Sequence, residues 1–209
     1  MTATPRRSTP SLRTSGRLVA LLAVGLVTAC GSEPARPSSS WYGPEPEQLV
    51  GEIQEAGQAL PGELDVQPLR DPAVEDLLMQ ANHAVGLRRY ADAAAALDKA
   101  LVQSPDDPAV LQLRAEVAVL QRDLPRAAAL SRRAYDLGAK VGPLCRREMM
   151  TIRQALAQRQ GELVRSGSQG KLKGEKLMQW ERDSAAIVLE VENIQTLQAA
   201  CTLTGPPRY

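Results

Sequence analysis

The chain has 209 residues, no Phe, only 3% aromatic residues and a formal net charge of +1. That length holds one domain with appendages, and a charge balance so near zero gives no case for nucleic-acid binding. Any core must be assembled from Leu, Val, Ile and Ala. Alanine has the best helix propensity and lets helices pack closely, so the fold class predicted for the mature chain is all-α.

Residues 1–17 are polar and basic, with Arg6, Arg7, Arg13 and Arg17 and no acid, and Leu18 to Val27 is an apolar run of ten. These are the n-region and h-region of an export signal; the run is too short to span a bilayer comfortably. Removing those four from the 25 basic residues leaves 21 against 24 acidic ones, a net of −3. The run ends in Val27-Thr28-Ala29-Cys30, which resembles the bacterial lipobox. The resemblance implies a signal peptide over 1–29, a diacylglycerol thioether on Cys30, cleavage before it, and acylation of the new amino group. The alternative is ordinary cleavage after Ala29, which leaves Cys30 a free thiol. Several acyl chains on one cysteine anchor far more firmly than one. In enterobacterial lipoproteins an Asp just after the lipidated cysteine is the usual inner-membrane retention residue. Gly31 and Ser32 stand there instead, which favours the periplasmic face of an outer membrane.

The tether, residues 30–46, carries four prolines, four serines and two glycines without apolar periodicity. At about 3.1 Å per residue in extended form, it could hold a domain up to about 50 Å from the lipid. Trp41 and Tyr42 in it either rest at the membrane interface or on a partner, or are exposed or folded back on the domain, as an aromatic pair in a tether more often is. Leu49, Ile53, Ala56 and Leu60 then repeat at helical spacing over Glu47 to Leu60, and Pro61-Gly62 stops that helix. Its apolar stripe is expected to cap the next element.

From Val74 to Gly138 the sequence matches itself at a shift of 34 residues. Leu77 falls on Leu111, Ala81 on Ala115, Ala84 on Ala118, Tyr90 on Leu124, Ala93 on Ala127 and Ala100 on Ala134. A period of that length marks a helix–turn–helix repeat. Asp71-Pro72 and Asp107-Pro108 each supply an N-cap and a first-turn proline, predicting helices near 72–86, 90–103, 108–121 and 124–137. Those dipeptides are 36 residues apart rather than 34, so the first helix of the first repeat is half a turn longer. The pattern of Ala81, Ala93, Leu97, Ala100 and Pro105, with Ala115, Ala127 and Ala134 in the second copy, resembles the tetratricopeptide repeat. Ser131 and Ala139 stand where Leu97 and Pro105 stood. By that resemblance the first helices of the pairs line a concave groove showing Leu78, Asn82, Val85, Gln112, Glu116 and Val119. Some such arrays clamp a partner's terminal carboxylate with Lys and Asn; Leu78 and Leu113 occupy two of those places, which rejects that mode. The groove either takes a peptide or helix or is filled by this chain's own flanking segments.

His83, the only histidine, has no ligand-spaced Cys or carboxylate around it, so no metal or other cofactor is assigned. Arg122, Arg126, Arg132, Arg133, Arg146 and Arg147 are interspersed with acids and read as a solvated face. Pro143 opens a further helix to about Val164, Ser166 to Gly174 is a turn, and Glu175 to about Thr202 forms a long helix. The last carries Leu177, Trp180, Ser184, Ile187, Val191, Ile194, Gln198 and Cys201 at alternating spacings of three and four, a coiled-coil-like seam. Domains are therefore drawn at 47–141 for the capping helix and repeats, 142–204 for the hairpin, and 205–209 for a frayed tail. Pairing Leu163 with Trp180 beside the turn brings Cys145 and Cys201 together at the open end. Export places them in an oxidising compartment, so a disulfide is expected, with two buried thiols as the alternative.

No nucleophile–base pair, carboxylate pair or metal cluster stands out, so catalysis is not assigned. The resemblance implies a lipid-anchored, non-catalytic scaffold for envelope proteins whose identity the sequence does not give. The second reading is a structural subunit whose C-terminal seam is buried in an assembly.

Overall fold

The computed structural model describes residues 43–61, 63, 69–168, 170 and 172–202. The signal peptide, Cys30, the tether up to Tyr42 and the tail lie outside the described residues. Among those described there are seven helices and no strand: α1 (Pro46–Ala56), α2 (Pro72–Gly86), α3 (Tyr90–Gln103), α4 (Pro108–Leu120), α5 (Leu124–Leu137), α6 (Pro143–Ser168) and α7 (Glu175–Ala200). The fold is all-α.

The helix starts follow from local chemistry. Asp71 accepts from the Ala73 amide at 2.8 Å, and Asp107 accepts from those of Ala109 and Val110 at 2.9 and 3.2 Å. Each satisfies donors that the first turn leaves without a partner, while the following proline has no N–H to lose. At 15 residues α2 is two longer than α4.

The turns after α2 and α4 are the same turn. Arg88 and Arg122 stand at φ 56° and 63°, the left-handed region. Behind them Arg89 N–H reaches Ala84 O at 2.8 Å, and Asp123 N–H reaches Ala118 O at 2.9 Å. The two positions are 34 residues apart, so the sequence period is a structural period in these turns.

Consecutive helices pack in pairs, α2 on α3, α4 on α5 and α6 on α7, and the pairs are joined by α3 against α4 and α5 against α6. Alanines line the crossings: Ala93, Ala100, Ala115, Ala118, Ala127 and Ala134 are all fully buried. Side chains this small let the helix axes approach, and dispersion contacts replace the aromatic bulk the chain lacks. The described residues all fall within one compact unit.

Two boundaries differ from the sequence reading. Helix α1 ends at Ala56 rather than Leu60, which is 42% exposed. Gly57 follows because the stem of Arg147 crosses there: a Cβ would lie 2.3 Å from Arg147 Cγ and Cδ. Helix α6 runs on to Ser168, through residues expected to form a loop. Ser166 and Ser168 donate back to the carbonyls of Leu163 and Val164, and Gly167 leaves room for the Trp180 ring, which would stand 2.6 Å from a Cβ.

Candidate functional site

Helix α1 does not cap the first pair. It packs across α4 and α6. Leu49 and Ile53 are fully buried and Val50 nearly so, and they form one cluster with Val119, Leu124, Ala128 and Ala155. A stripe of three large apolar residues gains most where the opposing surface is also apolar, and the α4–α6 face offers Val119 and Ala155.

Polar contacts fix α1 at both ends. At its start Tyr90 Oη donates to Glu47 Oε1 at 2.8 Å, and Arg122 Nη2 pairs with Glu45 at 3.1 Å. Midway, Gln154 donates to Glu52. At its end the Arg146 guanidinium donates to the carbonyls of Ala56 and Gln58 at 3.0 and 2.9 Å and takes both oxygens of Glu63 at 2.6 and 2.7 Å. A cation on the last carbonyls of a helix satisfies acceptors that the helix itself cannot. The same pairing, with help from the Leu60 amide, holds the Glu63 carboxyl down to about 2. Glu47 is lowered as well, first by its bond from Tyr90. Arg146 is thus a buried latch, 7% exposed, not part of a solvated basic face.

Beneath α1 lies a buried polar chain. Ser131 Oγ donates to Gln112 Oε1 at 2.8 Å, and Gln112 Nε2 donates to Glu116 Oε1 and Thr151 Oγ1 at 2.9 and 2.8 Å. Thr151 in turn donates to Arg147 O at 2.9 Å. Arg147 closes the chain with bonds of 2.9 and 2.6 Å to Glu116, whose other oxygen accepts from Gln54 of α1 at 3.4 Å. Every member has a partner, so the network specifies how α4, α5 and α6 seat on one another without leaving a reactive group free.

These contacts correct the expected groove. Gln112, Glu116 and Val119 are sealed, the first two in the polar chain and the last under α1. Leu78 is buried in the core between α2, α3 and α4, and Val85 is half-buried between the two clusters. Of the six, Asn82 alone is exposed. Helix α1 covers the Val119 part of this surface and does not reach Leu78. The signal was there: the stripe at Leu49 and Ile53 needed a cover, but nothing local said which face would provide it.

Cys145 and Cys201 form a disulfide, with Cα atoms 5.6 Å apart, and both are fully buried. At the other end of the hairpin Trp180 Nε1 donates to Leu163 O at 2.7 Å, the register on which that pairing rests. The seam of α7 is spent on α6, with Ile187 and Ile194 1% and 5% exposed.

One buried carboxylate stands apart. Glu148 is fully buried, neither of its oxygens has a hydrogen-bond partner among the described residues, and burial pushes its pKa up to about 8. His83 is exposed beside a cavity of about 290 Å³ between α2 and α3, shared with Gln80, Asp92 and Lys99. Among the described residues no three His, Cys, Asp or Glu side chains are placed to hold a metal, and no helix is long and apolar enough to cross a membrane. No family model matches the chain, and no curated protein matches its sequence.

Proposed function

We propose that this chain is a non-catalytic protein-binding scaffold of the cell envelope, held by lipid on Cys30 at the periplasmic face of the outer membrane. Its repeats are of the tetratricopeptide kind, and its working surface is the α4–α6 face. The observation that carries the reading is the helix already on that face. Leu49, Val50 and Ile53 of α1 present apolar side chains at i, i+1 and i+4, which is how an amphipathic helix enters a groove. A surface that seats this chain's own helix has the shape and polarity to seat another of the same chemistry. The required partner is an amphipathic helix with that triplet, an acidic side near its start for Tyr90, and free terminal carbonyls for Arg146.

The 34-residue period and the matched turns at Arg88 and Arg122 support the repeat assignment. The Val27–Cys30 sequence supports the anchor. The test of the binding face is to free it: Leu49→Asp with Ile53→Asp in the full chain, then titration with a labelled peptide of residues 45–58. Saturable binding that Arg146→Ala weakens is the expected result; no binding to a folded variant contradicts the reading. Cys30→Ser, in turn, should abolish labelling by a fatty acid.

A further inference from the structure

The outer face of α7 carries a second heptad pattern, separate from the seam that packs on α6. Met178, Arg182, Ala185, Leu189, Glu192 and Thr196 follow at spacings of four and three, on the side of the helix opposite Ile187 and Ile194. All six are exposed; Leu189 is 67% and Met178 52% exposed, unusual values for large apolar side chains in a heptad position. Helix α7 packs on α6 and is tied to α5 by the Arg132–Glu190 pair, so neither contact covers this side.

The pattern is a mirror of itself about Ile187. Ala185 and Leu189 lie two residues to either side, Arg182 and Glu192 five, Met178 and Thr196 nine. We infer that this face pairs with the same face of a second copy of the chain, the two α7 helices running antiparallel about a two-fold axis at the height of Ile187, on the side of the helix away from it.

In that arrangement each layer joins unlike residues. Leu189 of one copy enters the space over Ala185 of the other, Arg182 meets Glu192, and Met178 meets Thr196, each twice by symmetry. The flanks agree as well, since Val188, 43% exposed, lies beside its own symmetry mate, and Glu181 falls beside Gln195 rather than a second acid. The parallel arrangement in register would set Arg182 against Arg182 and Glu192 against Glu192, so the charges select one direction. Within its own chain Arg182 donates to Gln179 Oε1 at 2.7 Å, and Glu192 has no ion-pair partner among the described residues. Both charges are therefore available to a second copy. The interface does not involve the α4–α6 face, so the inference is independent of the proposed scaffold function.

Sedimentation velocity of the full chain in non-ionic detergent tests it. The wild-type chain should dimerise, Arg182→Glu and Glu192→Arg should each weaken the dimer by about tenfold or more, and the double reversal should restore it. Leu189→Asp should give a monomer with unchanged helical circular dichroism. A monomer at every concentration of the wild-type chain would overturn the proposal. So would a dimer indifferent to both reversals and to Leu189→Asp, or a double reversal that fails to recover association while each variant stays folded.

Discussion

Helices α4 and α7 sit at opposite extremes of the same fold. Ten of the thirteen residues of α4 are buried, and charged Arg114 and Glu116 are among them. Only Ile187 and Ile194 are buried among the 26 residues of α7. The difference is one of neighbours. Helix α4 is covered by α3, α5, α6 and α1, so both its apolar and its polar side chains must find partners in the interior. Arg114 does so through Asp98 at 2.7 Å, Glu116 through Arg147. Helix α7 has one main neighbour and is held at its far end by the disulfide. In an Ala-rich, nearly aromatic-free chain, stability comes from how many helices surround a residue more than from how large it is.

The sharpest way to break that comparison is the same substitution in both helices. Leu111→Ala, at a side chain 1% exposed, should cost about 2–5 kcal/mol through lost transfer energy and an unfilled cavity. Leu189→Ala should change monomer stability by no more than about 0.5 kcal/mol, being on the surface. Urea denaturation of both variants, at concentrations below any dimer, measures the pair. Equal losses would mean that α7 is covered within the monomer.

Next in size is the disulfide. Its partners are 56 residues apart in sequence, and removing it as Cys145→Ser with Cys201→Ser should cost about 2–4 kcal/mol, mainly by freeing the unfolded chain. The loss should appear first at α7. Limited proteolysis should cut there while α2 to α5 remain intact.

Glu148 sharpens the view of the sealed region, where a carboxylate without partners is an exception. Its folded pKa of about 8 lies above its ordinary value of 4.5, so its contribution favours folding at low pH and is lost as pH rises from about 4.5 through 8. Lys140 and Arg147 draw the value down and Asp136 raises it, but burial dominates. Glu148→Gln should flatten that decline, with a gain on the order of 2 kcal/mol at pH 8 once the chain has relaxed around the charge. Urea midpoints between pH 5 and pH 9 give the slope. Glu63 acts in the opposite sense: its contribution is present above pH 4.5 and lost as pH falls towards about 2.

The smallest effect concerns the repeated turn. Arg88 is held at φ 56°, a conformation a side chain resists, and its contact with Glu47 spans 3.5 Å with the Arg side chain 77% exposed. Arg88→Gly should therefore be neutral or stabilising by up to about 1 kcal/mol. Thermal melts of that variant decide it.

Helices α2 to α5 were legible because their signals are local: Asp–Pro starts, a 34-residue sequence period and alanines at the crossings. The half-turn extension of α2 could be read from two dipeptides. The hairpin register followed from the seam and the two cysteines. What the sequence did not carry was the destination of α1. A stripe at Leu49 and Ile53 states that burial is needed but not where, and the place rests on Arg146 and Val119, 93 and 66 residues away from Ile53. The polar chain was equally hidden. Gln112 and Glu116 look like groove residues until Ser131 of α5 and Arg147 and Thr151 of α6 come to meet them, from two later stretches of sequence. The turn at Arg88 was also silent, since the usual marker there is glycine.

On the function proposed above, α1 is a resident on a binding face rather than an integral layer of the core. Eleven residues are too few to hold a helix in isolation, and α1 is kept in place by one apolar stripe, the Arg146 latch at its end and polar contacts along its length. Native-state hydrogen exchange of the full chain, resolved helix by helix, measures this directly. Amides of α1 should exchange by local opening at least about tenfold faster than those of α4, and Ile53→Asp should release α1 while leaving protection in α4 unchanged. Exchange of α1 and α4 at one common rate, with both lost together in Ile53→Asp, would contradict the account.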